Sequence, residues 1–228
     1  MQPIKTIRTR LTPTADRVPV KVYLLRPKGT LYWGGAGLDG DYISLTARAF
    51  QNAGVTDFNL GLTNSATKTR FRASGTILDA LRAGSTLRYE DNDEWTITSG
   101  MSASAKQFNL IGYSYGSLLA AQTANFYTAQ GHVVDHLILI GSPIDATFLN
   151  KLRKHRGIGK VVVMDLREHG DPIYAGMTQA ELVAAAPILG AQMVAEEGKG
   201  HFYYAHVTTD LPSRLAKLAA KIVAEGVK

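Results

Sequence analysis

The chain has no cysteine among its 228 residues, which excludes disulfides and thiolate metal sites and leaves the redox compartment unreadable from composition. It also lacks any run approaching the eighteen or so apolar residues that a membrane-spanning helix needs. Its start, "MQPIKTIRTRLTPTAD", carries basic residues with no apolar core behind them, so the pattern of a cleavable secretory signal is missing. The expectation is a chain that is cytoplasmic or is delivered without a cleavable signal peptide. No repeat recurs, no tract is of low complexity, and no linker rich in Pro, Gly or Ser divides the chain. One domain over residues 1–228 is expected, with 1–17 as an irregular basic N-terminal segment, because this length is near the upper end of what one core fills.

What is present is ordinary in bulk and uneven in charge. With 45% hydrophobic and 19% charged residues, the composition is that of a water-soluble folded protein. The formal charge of +6 gathers in the first 28 residues and in "KLRKHRGIGK", Lys151 to Lys160, against an acidic "YEDNDEW". Interspersed surface charge serves solubility first. No nucleic-acid partner is expected, peripheral contact with an anionic membrane stays open, and oligomeric state is not encoded in these patterns.

Apolar runs alternate with helix-like segments. The strand-like stretches are "VPVKVYLL", "TLYWGG", "VTDFNLG", "QFNLIGY", "HLILIGS" and "KVVVMDL". Between and after them lie "DYISLTARAFQNAG", "SGTILDALRAG", "SLLAAQTANFYTAQG", "DATFLNKLRKHRG" and "DLPSRLAKLAAKIVAEG", each with capping or stop residues at its ends. In the last, Leu211, Leu215, Leu218 and Ile222 recur at helical spacing, giving one buried face. Strands such as "LILIG" and "VVVM" are apolar without alternation, as expected where helices cover both faces of a mainly parallel sheet. The fold class is therefore α/β and doubly wound, and any lid is small or absent.

At the junction of one such strand and helix stands Gly112-Tyr113-Ser114-Tyr115-Gly116. This fits G-x-S-x-G, in which a serine sits on a strained turn above the sheet. A serine hydroxyl needs a base to take its proton and a carboxylate to orient that base. Among six histidines, His201 in "EGKGHFYYAH" follows the last strand and precedes the terminal helix, which suits the order nucleophile, acid, base; His206 is the reserve. His132 and His136 flank the strand after the nucleophile's helix, and His155 belongs to the basic cluster.

For the acid, "VVVMDLREHGDPIYAG" offers Asp171 on the loop beyond the strand and Asp165 at its end. Asp171 is favoured because functional residues of open α/β sheets lie beyond the strands' C-terminal ends. Asp145 in "GSPIDA" is a third option whose plainer role is to cap the next helix. Oxyanion donors are expected from the Tyr115 amide and from the glycine-rich "LYWGGAGLDG", at Ala36 with Gly35 next. Gly35, Gly37 and Gly40 have the spacing G-x-G-x-x-G, but a lone match of that kind is a weak signal and the P-loop lysine pattern is missing, so nucleotide binding is set aside. Trp33, Tyr113 and Phe202 lie near these loops and are read as an apolar wall for substrate, although single aromatics are more often core.

Taken together, "LYWGGAGLDG", "LIGYSYGS", "HGDPI" and "GKGHFYY" make residues 18 to 226 resemble the α/β-hydrolase superfamily, and more loosely its serine esterase and lipase branches. The resemblance implies an α/β-hydrolase fold and a Ser114, Asp171, His201 triad that cleaves carboxylic esters, of small molecules or lipids, through an acyl-enzyme. It implies no cofactor and no metal. Thioesterase or acyltransferase chemistry, a phospholipase acting on anionic membranes, and a noncatalytic binding protein on the same fold are the alternatives. Bacterial lipases delivered as antibacterial toxins look similar in the glycine-rich loop and the serine elbow. Trp33-Gly34-Gly35 stands where many family members have His-Gly, and tyrosines flank the serine.

Overall fold

An apolar strand in the middle of a sheet must be covered on both sides, and successive side chains must divide between the two covers. The computed structural model, which describes residues 28–35, 40–60, 88 and 105–228, has this division. Its elements run β1 (Gly29–Trp33), α1 (Tyr42–Asn52), β2 (Phe58–Leu60), β3 (Phe108–Tyr113), α2 (Tyr115–Ala129), β4 (Val134–Ile140), α3 (Ala146–Lys154), β5 (Ile158–Met164), α4 (Gln179–Ala195) and α5 (Leu211–Ala224). Short 3-10 turns occupy Arg167–His169 and Gly200–Phe202.

The described strands form one five-stranded sheet in the order β2-β1-β3-β4-β5, and every pairing is parallel. Leu31, Leu110, Leu137 and Leu139 face one way, into a core shared with Leu118, Tyr127, Phe148 and Leu152 of α2 and α3. Their strand neighbours Tyr32, Ile111, Ile138 and Ile140 face the other way, against Phe50 of α1 and Leu215, Leu218 and Ile222 of α5. The α/β fold with helices on both faces is thus present. The expected apolar stripe of the last helix is the one α5 buries.

From β1 the chain moves outward to β2 on one side, while β3, β4 and β5 extend the sheet on the other. The carboxyl ends of β1 and β3 therefore flank the point where the winding reverses, which is where open α/β sheets form their crevice. Gly34-Gly35 and Ser114 follow those two strands directly. The expected strand "VPVKVYLL" and helix "SGTILDALRAG" lie outside the described residues.

One element is absent from the sequence reading. Between β5 and the histidine loop stands α4, seventeen residues long. Its low contrast hides it: from Leu182 to Ala195 there is no charged residue and one glutamine, and Pro187 and Gly190 sit inside. The signal that identifies it is at its start, where Thr178 and Glu181 form a reciprocal capping box. The helix buries Leu182, Ala185 and Leu189 against Ile173 and Met177 of the loop after β5. The fully buried Arg88 fixes its entrance, donating to the Pro143 carbonyl at 3.0 Å, to Gln179 Oε1 at 3.0 Å and to the Met177 carbonyl. Among the described residues no helix is long and apolar enough to cross a membrane.

Candidate active site

The serine turn is tight because its glycines allow it to be. Ser114 holds φ 55° and ψ −124°, a region that non-glycine residues occupy only under constraint. Its N–H donates to the Ile140 carbonyl at 2.8 Å, fixing the turn to the end of β4. A Cβ on Gly112 would overlap the backbone of Gly116 and Ser117, and one on Gly116 would overlap the carbonyls of Trp33 and Gly34. The two glycines therefore let α2 start directly over the ends of β1 and β3. Behind the turn, Ser117 Oγ donates to the Ser114 carbonyl and accepts from the Ser142 hydroxyl, 2.7 Å away.

Three side chains separated along the chain meet above this turn. Ser114 Oγ lies 2.6 Å from His201 Nε2, and His201 Nδ1 lies 2.8 Å from Asp171 Oδ2. A carboxylate only accepts, so Nδ1 carries the proton toward Asp171 and Nε2 is left to accept from the serine hydroxyl. The carboxylate's other oxygen accepts from the Ile173 N–H at 2.7 Å. The Asp171 side chain is wholly buried and that of His201 is 8% exposed, so the relay sits where water screens it little. Gly141, at φ +51°, passes beside it: a Cβ there would lie 3.3 Å from Asp171 Oδ2 and 3.6 Å from His201 Cε1.

His201 is also held by its backbone. Its N–H donates to Gln192 Oε1 of α4 at 2.9 Å, and its carbonyl accepts from the Tyr113 hydroxyl. The Tyr113 ring lies against the imidazole at 5.9 Å, nearly parallel, and Phe202 meets it edge-on at 5.6 Å.

The other carboxylates go elsewhere. Asp165 is exposed and accepts from the Ala175 N–H at 3.0 Å. Asp145 caps α3, accepting from the Thr147 and Phe148 amides at 2.7 and 3.2 Å. Chain path separates these from Asp171: the turn Arg167–His169 and left-handed Gly170 carry residue 171 back over the sheet toward residue 201. His206 stacks on Phe202 at 4.8 Å and accepts from the Gly198 N–H, while His136 bonds Asn109 Oδ1 at 2.8 Å. Burial lowers the pKa of both imidazoles.

Of the residues expected to hold an oxyanion, Tyr115 opens α2, so its N–H lies at the positive end of that helix. The Gly35 N–H is already engaged by the Tyr42 hydroxyl at 2.7 Å, and Ala36 lies outside the described residues. Of the expected substrate wall, Trp33 and Tyr113 are buried and pack beneath the site, whereas Phe202 is half-buried on the histidine turn. Among the described residues no group of three or more His, Asp and Glu side chains is arranged to hold a metal ion. Gln192 and the Tyr113–His201 contacts were not foreseen, because nothing in the local sequence points either side chain at the histidine backbone.

The family model of the thioesterase domain matches residues 100–220, just over half of the chain and the part that contains the serine turn, the acid loop and the histidine loop. No curated protein and no solved structure matched the chain. By the family match and the parallel, doubly covered sheet, this chain belongs to the thioesterase-domain family of the α/β-hydrolase superfamily.

Proposed function

We propose that the chain is a serine acyl hydrolase that cleaves thioesters, and oxygen esters by the same route, through an acyl-enzyme on Ser114. The observation that carries this reading is the continuous run of contacts from hydroxyl to imidazole to buried carboxylate, 2.6 Å and 2.8 Å. His201 Nε2 takes the Ser114 proton as Oγ attacks the acyl carbon. The tetrahedral oxyanion is met by the Tyr115 amide and a second donor, for which Ala36 is the candidate since Gly35 serves Tyr42. The carbon–sulfur bond breaks, and His201 returns its proton to the departing thiolate. Water then attacks the acyl-serine, His201 taking its proton, and the acid leaves with Ser114 restored. Throughout, Asp171 keeps the imidazole oriented and stabilises its charged form.

The family supports the thioester, and the geometry serves either leaving group. The test uses acyl thioesters of graded chain length, with release of free thiol followed, and p-nitrophenyl esters in parallel. A fluorophosphonate should label Ser114, and thioesters should turn over in water alone. Turnover only with an added acyl acceptor would make the protein a transferase. Failure of both labelling and turnover would leave a binding protein on a hydrolase fold.

The choice of acid gives a separate prediction. Asp171→Asn should lower kcat by about 10⁴-fold, since an amide can stabilise the wrong imidazole tautomer. Asp165→Asn, whose carboxylate meets only the Ala175 amide among its described contacts, should keep turnover within about twofold, as surface changes usually do. Equal losses in the two variants would remove Asp171 from its assigned place.

A further inference from the structure

We propose that Gln192 is a positioning residue that locks the acid loop to the histidine loop, so that the Asp171–His201 hydrogen bond depends on helix α4. This rests on the reading above, in which His201 is the base and Asp171 its orienting acid.

The carboxamide of Gln192 uses both of its ends on those two loops. Oε1 accepts from the His201 N–H at 2.9 Å, and Nε2 donates to the Gly170 carbonyl at 2.9 Å. Gly170 is the residue immediately before Asp171. One planar group therefore spans the backbones that carry the two relay partners. Neither loop is held to the other by sheet pairing, since both lie beyond the strands.

Two further features fit this clamp. Leu182, Ala185, Leu189 and Gln192 follow one another at spacings of 3, 4 and 3, so Gln192 continues the stripe by which α4 packs on the loop after Asp171. Three apolar members anchor the helix to the acid loop, and the fourth position reaches the histidine loop. On the other side, Gly200 at φ +56° lies against the carboxamide so closely that a Cβ would overlap its Cδ, Oε1 and Nε2. The missing side chain lets the amide lie flat on the backbone before His201. Tyr113 holds the carbonyl of the same histidine from the sheet side, so the residue is fixed at both of its peptide groups.

Two variants separate the halves of the clamp. Gln192→Met keeps length and helix propensity and removes both bonds; Gln192→Glu keeps an acceptor for the His201 N–H and loses the donor to Gly170. Three measurements are made on each: steady-state kinetics, the rate of fluorophosphonate labelling of Ser114, and the downfield proton resonance of His201 Nδ1–H in the resting protein. For Gln192→Met, kcat and labelling rate should fall together by about 10- to 100-fold, the scale on which small misplacements cost rate. KM should change little, and the downfield resonance should broaden or vanish at a temperature where the variant is fully folded. Gln192→Glu should show the same effects at reduced size.

The proposal is overturned if Gln192→Met keeps a wild-type resonance and labelling rate, or if its losses follow only the fraction unfolded. Failure of the parent reading would look different. Wild-type protein would then resist the fluorophosphonate, while the resonance would still report whether Gln192 governs the Asp171–His201 bond.

Discussion

Replacing Ser114 with alanine should lower kcat for the best thioester roughly 10⁶-fold, the scale seen when the nucleophile of a serine triad is removed, and leave the fold intact. The second half of the expectation follows from the local structure. The described partner of the hydroxyl is His201 Nε2, and the turn is held by backbone bonds, Ser114 N–H to Ile140 and Ser117 N–H to the Ser114 carbonyl. Alanine loses none of these and meets the same φ. Neighbouring hydroxyls do not substitute for it, because Ser117 and Ser142 are fully buried and bonded to each other. Substrate should still bind, so a substrate analogue should keep its Kd while turnover and fluorophosphonate labelling disappear. Retention of a tenth of wild-type turnover by a folded Ser114→Ala protein would mean that some other group attacks the acyl carbon.

The second large effect concerns stability and comes from a methyl group. Gly116→Ala should lower stability by about 3 kcal/mol or more, as overpacking does when the neighbour cannot yield. For a chain of this size that is a fall in Tm of roughly 6–12 °C. The atoms in the way are the carbonyls of Trp33, at the end of β1, and of Gly34 just after it, which cannot rotate aside as a side chain could. Helix α2 would have to lift off the sheet, and Ser114 would move with it, so activity should fall alongside stability.

Gly190→Ala is the internal control. Gly190 is also helical, in α4, and a Cβ there meets nothing within 4 Å. The same substitution should then raise stability by about 0.5–1 kcal/mol through reduced unfolded-state entropy and better helix propensity. Thermal unfolding of the two variants checks the sign directly, and a Gly116→Ala protein as stable as the parent would contradict the close packing of α2 on β1.

The candidate site was legible in the sequence to different depths. Ser114 stands out because its signal is local: a strand, two glycines and a helix must be contiguous for the turn to form. His201 could be chosen among six histidines by chain order and its place after the last strand. The acid was harder, since Asp145, Asp165 and Asp171 all follow apolar strands and look alike over a short window. Their separation depends on the turn Arg167–His169 and on left-handed Gly170, and a β5 end held beside β4 by the Ile140–Met164 pairing. Helix α4 escaped because its exposed positions are as apolar as its buried ones, leaving no periodic contrast to read. With it went Gln192, whose partners lie nine and twenty-two residues away.

Local sequence set the strands and helices on either side of the serine turn, and where a strained serine had to stand, because hydrophobic period, capping and glycine act over a few residues. It also determined that no thiol chemistry was available. Which carboxylate faces the imidazole, that the Gly35 amide is taken by Tyr42, and that α4 reaches both loops through a single carboxamide follow from the packed fold alone. Those outcomes are set by distances between residues remote along the chain, which the packing of helices on a five-stranded sheet fixes and local preference does not.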